Sequence, residues 1–157
     1  MGTYMKLIRA NIEDCEKIHK MQTEAFSELL KKYQDYETSP AAETVEKVRS
    51  RLEDEFTYFY FIYSEDQLVG AIRVVDKKNG ERKRISPIFI MKEFRGNGFA
   101  KQAISEAEAI HGKDMWKLDT ILQEEGNCRL YEKLGYKRTG TIKKINERMD
   151  IVFYEKN

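Results

Sequence analysis

The segment of residues 88–100 constrains the fold of this chain more than any other. It reads IFIMKEFRGNGFA. The opening apolar run is typical of a strand that is buried on both faces. Gly96 and Gly98 allow a tight turn and a close approach to a ligand. The helix that follows directs free N–H groups and the positive end of its dipole into this turn. The segment therefore predicts a strand, a glycine loop and a helix that bind a phosphate or pyrophosphate.

Two common phosphate-binding motifs do not fit this loop. No GxxxxGK[ST] sequence occurs in the chain, which excludes a P-loop. The dinucleotide motif GxGxxG/A fits only in part, because Lys101 stands where helix–strand packing requires a small residue. The loop also lies past the middle of the chain, after several predicted strands, so a Rossmann fold is disfavoured.

Hydrophobic periodicity predicts an α/β chain with a mixed sheet. Strands joined by tight turns run antiparallel, whereas strands joined through helices can run parallel. The predicted order is β-α-α-β-β-β-α-β-α-β-β. The strands are predicted at residues 5–9, 56–63, 68–75, 82–91, 116–122, 136–145 and 148–154, and the helices at residues 15–33, 41–52, 100–110 and 127–134.

Local signals mark several element boundaries. Asn11 and Asp14 have the spacing of a capping box at a helix start. Ser39-Pro40 predicts another helix start, with Ser as the cap and Pro at the first helical position. Asn79-Gly80 predicts a tight hairpin turn, because both turn positions need a positive φ. Gly112 predicts the end of the helix that follows the glycine loop.

Composition excludes several classes of protein. The 157 residues include 28 Lys+Arg and 27 Asp+Glu, and the resulting net charge of +1 argues against a nucleic-acid binder. No stretch reaches the roughly 20 apolar residues of a membrane span, and the start lacks the pattern of a secretory signal. The two cysteines and two histidines have no metal-ligand spacing. We therefore expect a single cytoplasmic domain over residues 1–157, without metal, nucleic-acid or membrane partners.

Two motifs resemble those of a known superfamily. Residues 95–100 match [RQ]xxGx[GA], a signature of the GNAT superfamily of acyl-CoA-dependent N-acetyltransferases. A second motif of that superfamily is similar to residues 127–136, with Asn127, Tyr131, Gly135 and Tyr136 on its marked positions. The predicted order of elements is also that of the superfamily, so the resemblance spans essentially the whole chain. It implies a three-layer fold, in which a central mixed sheet has helices on both faces.

The resemblance implies an activity and a set of cofactor contacts. A GNAT enzyme transfers an acetyl group from acetyl-CoA, its acyl-donor cosubstrate, to a primary amine of a small molecule or protein by direct attack in a ternary complex. Acetyl-CoA would lie in a V-shaped opening between the strand that ends at Met91 and the strand at residues 116–122. The implied contacts are Phe89, Ile90, Met91, Arg95, Gly96, Asn97, Gly98, Phe99, Ala100, Asn127 and Tyr131.

The resemblance also implies individual roles. The Ile90 N–H would stabilise the oxyanion, Tyr131 would protonate the leaving thiolate, and Asn127 would hydrogen-bond the pantetheine arm. Asn127 and Tyr131 are spaced i,i+4 and therefore share one helix face. Taken alone, Asn127 also suits a helix cap and Tyr131 a core aromatic residue. The Arg95 side chain is compatible with phosphate contact, with covering the loop, or with an ion pair to Glu93.

The general base and the acceptor are less well marked. Superfamily members often use a Glu, or a water held by one, as the general base. We predict Glu124 as the base, with Asp119 and then Glu125 as the alternatives. A water chain to bulk solvent would replace all three.

The first two predicted helices carry acidic and aromatic residues that suit a cationic amine such as a polyamine, an aminoglycoside or a lysine side chain. Ordinary surface charge is the alternative explanation for these residues, which are Glu28, Asp35, Glu37, Glu43, Phe26, Tyr33 and Tyr36.

Two other functions remain open at this stage. A catalytically silent acyl-CoA-binding sensor or interaction module would keep the glycine loop without needing Tyr131. A plain interaction domain would use the Gly96/Gly98 turn only as a connection. The exposed edge of the last predicted hairpin also suggests a homodimer.

Overall fold

Residues 4–157 are described by a computed structural model, and they form one seven-stranded mixed sheet with helices on both faces. This confirms the predicted fold class. The strands are β1 (Met5–Arg9), β2 (Thr57–Ser64), β3 (Gln67–Val75), β4 (Lys83–Ile90), β5 (Trp116–Ile121), β6 (Lys137–Asn146) and β7 (Met149–Lys156). The helices are α1 (Cys15–Ala25), α2 (Ser27–Tyr33), α3 (Val45–Glu53), α4 (Phe99–His111) and α5 (Glu125–Lys133).

The strand order β1-β2-β3-β4-β5-β7-β6 places the parallel pair β4/β5 inside the sheet. All other neighbouring strands are antiparallel. The β4/β5 ladder consists of Lys83 opposite Trp116 and Arg84 opposite Lys117, and pairing stops there. A register shift in the β3/β4 ladder follows at once, where Ser86 and Pro87 of β4 bulge opposite Arg73. Because Pro87 has no N–H to donate, it cannot extend the ladder, and a V-shaped opening separates the two strands.

The two faces of the sheet have separate cores. On β2, Tyr60 and Ile62 pack with α4 and α5, whereas Phe59 and Phe61 pack with α1 and α3. This alternation follows from the two-residue period of a strand, and it explains why the central strands are apolar on both faces. No helix within residues 4–157 combines the length and the apolar character of a membrane span.

The predicted helix over residues 15–33 is divided in the structure. α1 ends at Ala25 and α2 begins at Ser27, because Phe26 leaves the helical region with φ −101° and ψ 4°. Its ring packs edge-on against Phe89, with 5.7 Å between the centroids, and the Ser27 hydroxyl donates to the Glu24 carbonyl over 2.9 Å. The apolar spacing continues across this break, so periodicity alone does not reveal it.

Two other boundary predictions need correction. Ser39 does act as a cap, since its Oγ accepts from the Ala41 N–H, but Pro40–Ala42 form only a short 3₁₀ turn. The second predicted helix, α3, begins later, with Thr44 as its N-cap. The hairpin at Asn79-Gly80 is a loop over residues 76–82 rather than a two-residue turn.

In the hairpin loop, positive φ values occur at Lys78 and Gly80. Asn79 instead accepts a hydrogen bond from the Glu81 N–H, which organises the loop without a positive φ of its own. By contrast, the capping box of Asn11 and Asp14 is present as predicted, at the 3₁₀ turn that leads into α1. Gly112 caps the end of α4 as predicted, although Ile110 of the predicted apolar stripe is 53% exposed.

Candidate active site

The glycine loop joins β4 to α4 and requires glycine for its backbone conformation. Gly96 and Gly98 have φ values of 82° and 77°, a region that residues with a Cβ enter only with strain. Gly98 is the N-cap of α4. A Cβ added to either glycine would meet no atom within 4 Å, so both positions face open space.

A run of free backbone donors lies in this loop. The N–H groups of residues 96–101 donate to no backbone acceptor within residues 4–157, and the first helical hydrogen bond runs from Gln102 to the Gly98 carbonyl over 3.1 Å. α4 has 13 residues, so its dipole adds positive potential at the same place. These donors include Gly96, Asn97, Gly98, Phe99 and Ala100 of the predicted cofactor contacts. The loop can therefore hold an anionic group such as a diphosphate.

Arg95 differs from the residues that follow it. Its backbone N–H donates to the Lys92 carbonyl over 3.3 Å. Its side chain donates from Nε to the Ile90 carbonyl over 2.9 Å and from NH2 to the Ala25 carbonyl over 2.8 Å. The guanidinium therefore ties the loop to the ends of β4 and α1, and it forms no ion pair with Glu93.

The end of β4 presents one amide to the opening. The Met91 N–H donates to the Val69 carbonyl of β3 over 2.7 Å. Because successive amides of a strand point to opposite edges, the Ile90 N–H points towards β5, where the ladder has already stopped. Phe89 is directed into the core and is 5% exposed. Of the three predicted strand contacts, Ile90 is therefore the donor that faces the opening.

Gly70 on β3 makes this position of β4 possible. A Cβ at Gly70 would lie 2.1 Å from the Phe89 carbonyl oxygen. Only a residue without a side chain therefore allows β4 to approach β3 so closely at its functional end. Sequence analysis placed Gly70 in a strand without a role, since an isolated glycine in a strand does not indicate which neighbour approaches it.

A cavity of about 370 Å³ occupies the opening between β4 and β5. Its walls come from α2, the loop at residues 35–40, β4, β5, α5 and the β6–β7 hairpin. Tyr131 and Asn127 of α5 both line it. The predicted pair therefore does share one face of a helix, and that face is turned to the cavity. Asn127 lies inside α5, and Glu124 occupies the cap position.

Tyr131 is buried, and its hydroxyl group is unpartnered. The residue is 7% exposed, and its ring packs against Tyr136 and Tyr154. No side chain or carbonyl within residues 4–157 accepts a hydrogen bond from its hydroxyl. Burial, together with the nearby negative charge of Asp119, raises the pKa of Tyr131 well above its usual value. The hydroxyl therefore stays protonated at neutral pH and is available as a proton donor into the cavity.

Glu124 lies beside the cavity rather than in its wall. Its carboxylate accepts from the Tyr33 hydroxyl over 2.5 Å and from Lys32 Nζ over 3.0 Å. Burial opposes ionisation of Glu124, but these two donors outweigh it and hold its pKa below the usual value. Tyr33 does line the cavity. Tyr33 was predicted only as one of the aromatic residues near a cationic acceptor, because nothing local indicates a hydrogen-bond partner 91 residues away.

The alternative carboxylates for a base are arranged differently. Asp119 lines the cavity and pairs with Arg84, with 3.2 Å between Oδ2 and NH2. Glu125 is exposed and lies 3.8 Å from Arg129 in a solvated i,i+4 pair. Of the two, only Asp119 can contact a molecule in the cavity directly.

The acidic residues that suggested a cationic acceptor are largely engaged elsewhere. Glu28 pairs with Lys92 over 2.5 Å. Glu43 pairs with Arg51 over 2.7 Å and accepts from Gln22. Asp35 lines the cavity, but its oxygens accept from residues 37 and 38 of its own loop. Glu37 is exposed and forms no ion pair within residues 4–157, but it does not line the cavity. Of these four carboxylates, only Asp35 lines the cavity, and it is already hydrogen-bonded.

A mixed sheet whose parallel strands part beside an anion-binding helix start is the arrangement that the resemblance to the GNAT superfamily implies. The family described as "Acetyltransferase (GNAT) domain" matches residues 16–156, and the chain therefore belongs to this family. A curated relative, the SPbeta prophage-derived uncharacterized N-acetyltransferase YokL of Bacillus subtilis (strain 168), is 31% identical over 106 residues. That match covers 64% of this chain and 59% of the relative, so the chain spans less than two thirds of it.

Solved structures share the fold. The spermidine N-acetyltransferase of Vibrio cholerae, solved with CoA and spermine, has a TM-score of 0.74 and 18% identity over 96% of this chain and 93% of its own. The ribosomal-protein-S18-alanine N-acetyltransferase of Escherichia coli has a TM-score of 0.73 and 11% identity, and the match covers 96% of this chain and 92% of that enzyme. At these identities the likeness concerns the fold. Residues 4–157 contain no cluster of three or more metal-ligating side chains.

Proposed function

We propose that this protein transfers an acetyl group from acetyl-CoA to a primary amine by direct attack in a ternary complex. The observation that carries the proposal is the run of free amides at residues 96–101, which begins α4 beside the opening between β4 and β5. Unpartnered donors at a helix start bind anions, and the diphosphate of CoA is such an anion. The structural neighbour solved with CoA and spermine supports the same choice.

The chain itself would bind and orient the donor. The loop amides hold the diphosphate, and the Asn127 side chain, which faces the cavity, contacts the pantetheine arm. The Ile90 N–H polarises the thioester carbonyl and stabilises the negative charge that grows on its oxygen. Bound acetyl-CoA supplies the activated acyl group. Gly70 and Arg95 are positioning residues in this scheme, since they determine where the end of β4 lies.

Tyr131 would supply the proton to the leaving group. The amine nitrogen forms a bond to the acetyl carbon, the carbon–sulfur bond breaks, and the Tyr131 hydroxyl gives its proton to the sulfur. Its raised pKa keeps the hydroxyl protonated until that moment. The phenolate that remains then recovers a proton from solvent.

Glu124 would accept the amine proton through Tyr33. Tyr33 lines the cavity and its hydroxyl donates to the Glu124 carboxylate, so a proton that reaches Tyr33 Oη displaces the Tyr33 proton to Glu124. The low pKa of Glu124 keeps it ionised at neutral pH and ready to accept. Replacement by E124Q is expected to lower kcat and flatten the acid limb of the pH–rate profile, while KM for acetyl-CoA stays unchanged.

Calorimetry with CoA, followed by a thiol-release assay with acetyl-CoA and an amine panel, tests the proposal. At a CoA concentration about 100 times Kd, the stability should rise by roughly 2.7 kcal/mol. CoA binding with turnover of at least one amine supports the proposal. Binding without turnover would identify a silent acyl-CoA-binding module, and absence of binding would exclude both functions.

A further inference from the structure

The charged residues in the wall of the cavity indicate what kind of amine it accepts. Four of them line the cavity: Asp35, Arg84, Asp119 and Lys143. Asp35 is 4% exposed and is already occupied by hydrogen bonds within its own loop. This leaves one carboxylate and two cations to face a bound molecule.

Arg84 and Asp119 form a pair of opposite charges on the two strands that diverge. Their side chains are 42% and 28% exposed, and the single contact of 3.2 Å joins one guanidinium nitrogen to one carboxylate oxygen. The other oxygen of Asp119 and the other nitrogens of Arg84 are therefore open to a ligand. Such a pair can bind one ligand through both of its charged groups, because Asp119 can contact an ammonium group while Arg84 contacts a carboxylate.

Lys143 adds an unpaired positive charge on the hairpin side. It forms no ion pair within residues 4–157, whereas the next residue, Lys144, contacts Glu147 over 3.3 Å. Adjacent residues of a strand point to opposite faces, and Lys143 is the one that lines the cavity. The local charge at the acceptor side therefore has a positive excess.

Arg73 adds positive charge behind the wall. It lies opposite the Ser86–Pro87 bulge of β4, is 7% exposed, and its Nε has no hydrogen-bond partner. Burial, together with repulsion from Arg51 and Arg84, lowers the pKa of Arg73 to about 9. The guanidinium is still charged at neutral pH, and Glu43 and Asp54 offset part of this repulsion. Arg73 therefore adds positive potential near the Ser86–Pro87 part of the cavity wall.

The rest of the wall is mostly apolar. Such a surface suits an uncharged hydrocarbon or aromatic group and offers no further carboxylate to additional ammonium groups. On the side of α2 and the β6–β7 hairpin, the apolar lining residues include Phe26, Leu29, Leu30, Ile145, Ile151 and Phe153.

Resting on the proposed function, we infer that the acceptor is an amine that carries a carboxylate close to the amino group and an apolar body, as an apolar α-amino acid does. Asp119 forms an ion pair with the ammonium group of the acceptor, and Arg84 and Lys143 contact its carboxylate. The apolar wall packs against the side chain of the acceptor. A polyamine has several further cations, and each would need a carboxylate that the wall does not offer. The inference therefore predicts a different class of acceptor for this chain than for its structural neighbour, the spermidine N-acetyltransferase.

A matched set of acceptors tests the inference in the thiol-release assay. Phenylalanine, phenylalanine amide and phenethylamine share one apolar body and differ in the carboxylate, and spermidine represents the polyamines. We expect kcat/KM for phenylalanine to exceed that for the other three by at least about tenfold, which is 1.4 kcal/mol. Equal or faster turnover of phenethylamine or spermidine would overturn the inference and leave the proposed transfer intact.

Two variants test whether the preference for an acceptor with a carboxylate depends on Arg84 and Lys143. R84Q and K143Q should each reduce the ratio of kcat/KM between phenylalanine and phenethylamine towards one, mainly by raising KM for phenylalanine. K144Q is the matched control, because Lys144 lies next to Lys143 but outside the cavity wall. It should leave the ratio unchanged. An unchanged ratio in both R84Q and K143Q would also contradict the inference.

A binding measurement keeps the test independent of turnover. With CoA present, N-acetylphenylalanine should raise the melting temperature and N-acetylphenethylamine should not, since only the former carries the carboxylate. If CoA binds and the two products behave alike, the inference fails while cofactor binding stands. If CoA itself fails to bind, the proposed function fails with it.

Discussion

Polar groups near the two ends of β4 differ in whether other parts of the protein complete their hydrogen bonds. Near the start of β4, His111 is bonded from Nδ1 to Asp76 over 2.8 Å and from Nε2 to the Tyr60 hydroxyl over 2.8 Å. Beyond its end, Tyr131 and the amides of residues 96–101 have no partner within the described part of the chain. The first group joins β2, α4 and the β3–β4 loop, and the second surrounds an opening.

This difference separates structural polar groups from functional ones. Buried donors and acceptors are nearly always paired in folded proteins, because an unpaired one costs free energy. A network that is complete without a ligand stabilises the fold. Donors beside a cavity that have no protein partner are free to bind water or a ligand, so they can be lost as stabilising groups without cost to the fold. Four substitutions and two matched controls test this contrast.

The largest effect is expected from Tyr131→Phe. The change deletes the proposed proton donor, and kcat should fall by about 100-fold or more. CoA affinity and the free energy of unfolding should change little, because the hydroxyl makes no hydrogen bond to lose. Steady-state thiol release measures kcat, titration calorimetry measures CoA affinity, and urea unfolding measures the free energy of unfolding.

Tyr60→Phe is the matched control for Tyr131→Phe. It removes one hydroxyl near the start of β4, where Tyr60 is hydrogen-bonded to His111. This should cost about 1 kcal/mol of stability and leave kcat unchanged. If Tyr131→Phe retained full turnover, the proton would come from another group.

Gly98→Val should weaken CoA binding by roughly 30-fold, or about 2 kcal/mol. The side chain would enter the space in front of the free amides, and the positive φ adds strain. Gly140→Val provides a comparison, since Gly140 also has a positive φ and open space but lies on β6. Calorimetric Kd values that were equal in the two variants would place the diphosphate elsewhere.

Asp76→Ala should destabilise the protein by about 1–2 kcal/mol without affecting CoA binding. It leaves the buried Nδ1 of His111 without its partner and removes the acceptor of the Lys78 N–H. Urea unfolding gives the free energy. A loss of CoA affinity at unchanged stability would mean that this network, too, serves the ligand.

The smallest effect concerns pH. Burial lowers the pKa of His111 below its usual 6.5, although Asp76 partly opposes this. The unfolded chain therefore binds the proton first as the pH falls, so the stability that His111 contributes is complete above about pH 6.5 and declines below it. The free energy of unfolding should drop more between pH 7 and pH 5.5 in the wild type than in His111→Asn. Parallel curves would show that His111 does not titrate differently on folding.

Local patterns predicted most of the elements and the positions of two parts of the candidate site. The strand, glycine loop and helix at residues 88–111 could be predicted because each signal is contained in a few neighbouring residues. The spacing of Asn127 and Tyr131 likewise determined that they share a helix face. The division of α1 from α2 could not be predicted, because the packing of Phe26 on Phe89 decides it.

Charge partners were the least predictable part of the site. The acidic residues near α2 suggested a cationic acceptor, yet Glu28 and Glu43 are paired by Lys92 and Arg51. Lys92 is 64 residues from Glu28 in sequence. Whether a charge is free for a ligand depends on such distant partners, and composition contains no information about them.

The sequence by itself determined the α/β class, the family and the loop that offers its amides, because strand period, glycine conformation and helix starts depend on adjacent residues. Only the tertiary structure decided where β4 leaves β5, which hydroxyl reaches Glu124, and that Arg84 and Lys143 face the cavity. These features arise from contacts between segments far apart in the chain, and such contacts exist only once the sheet has formed.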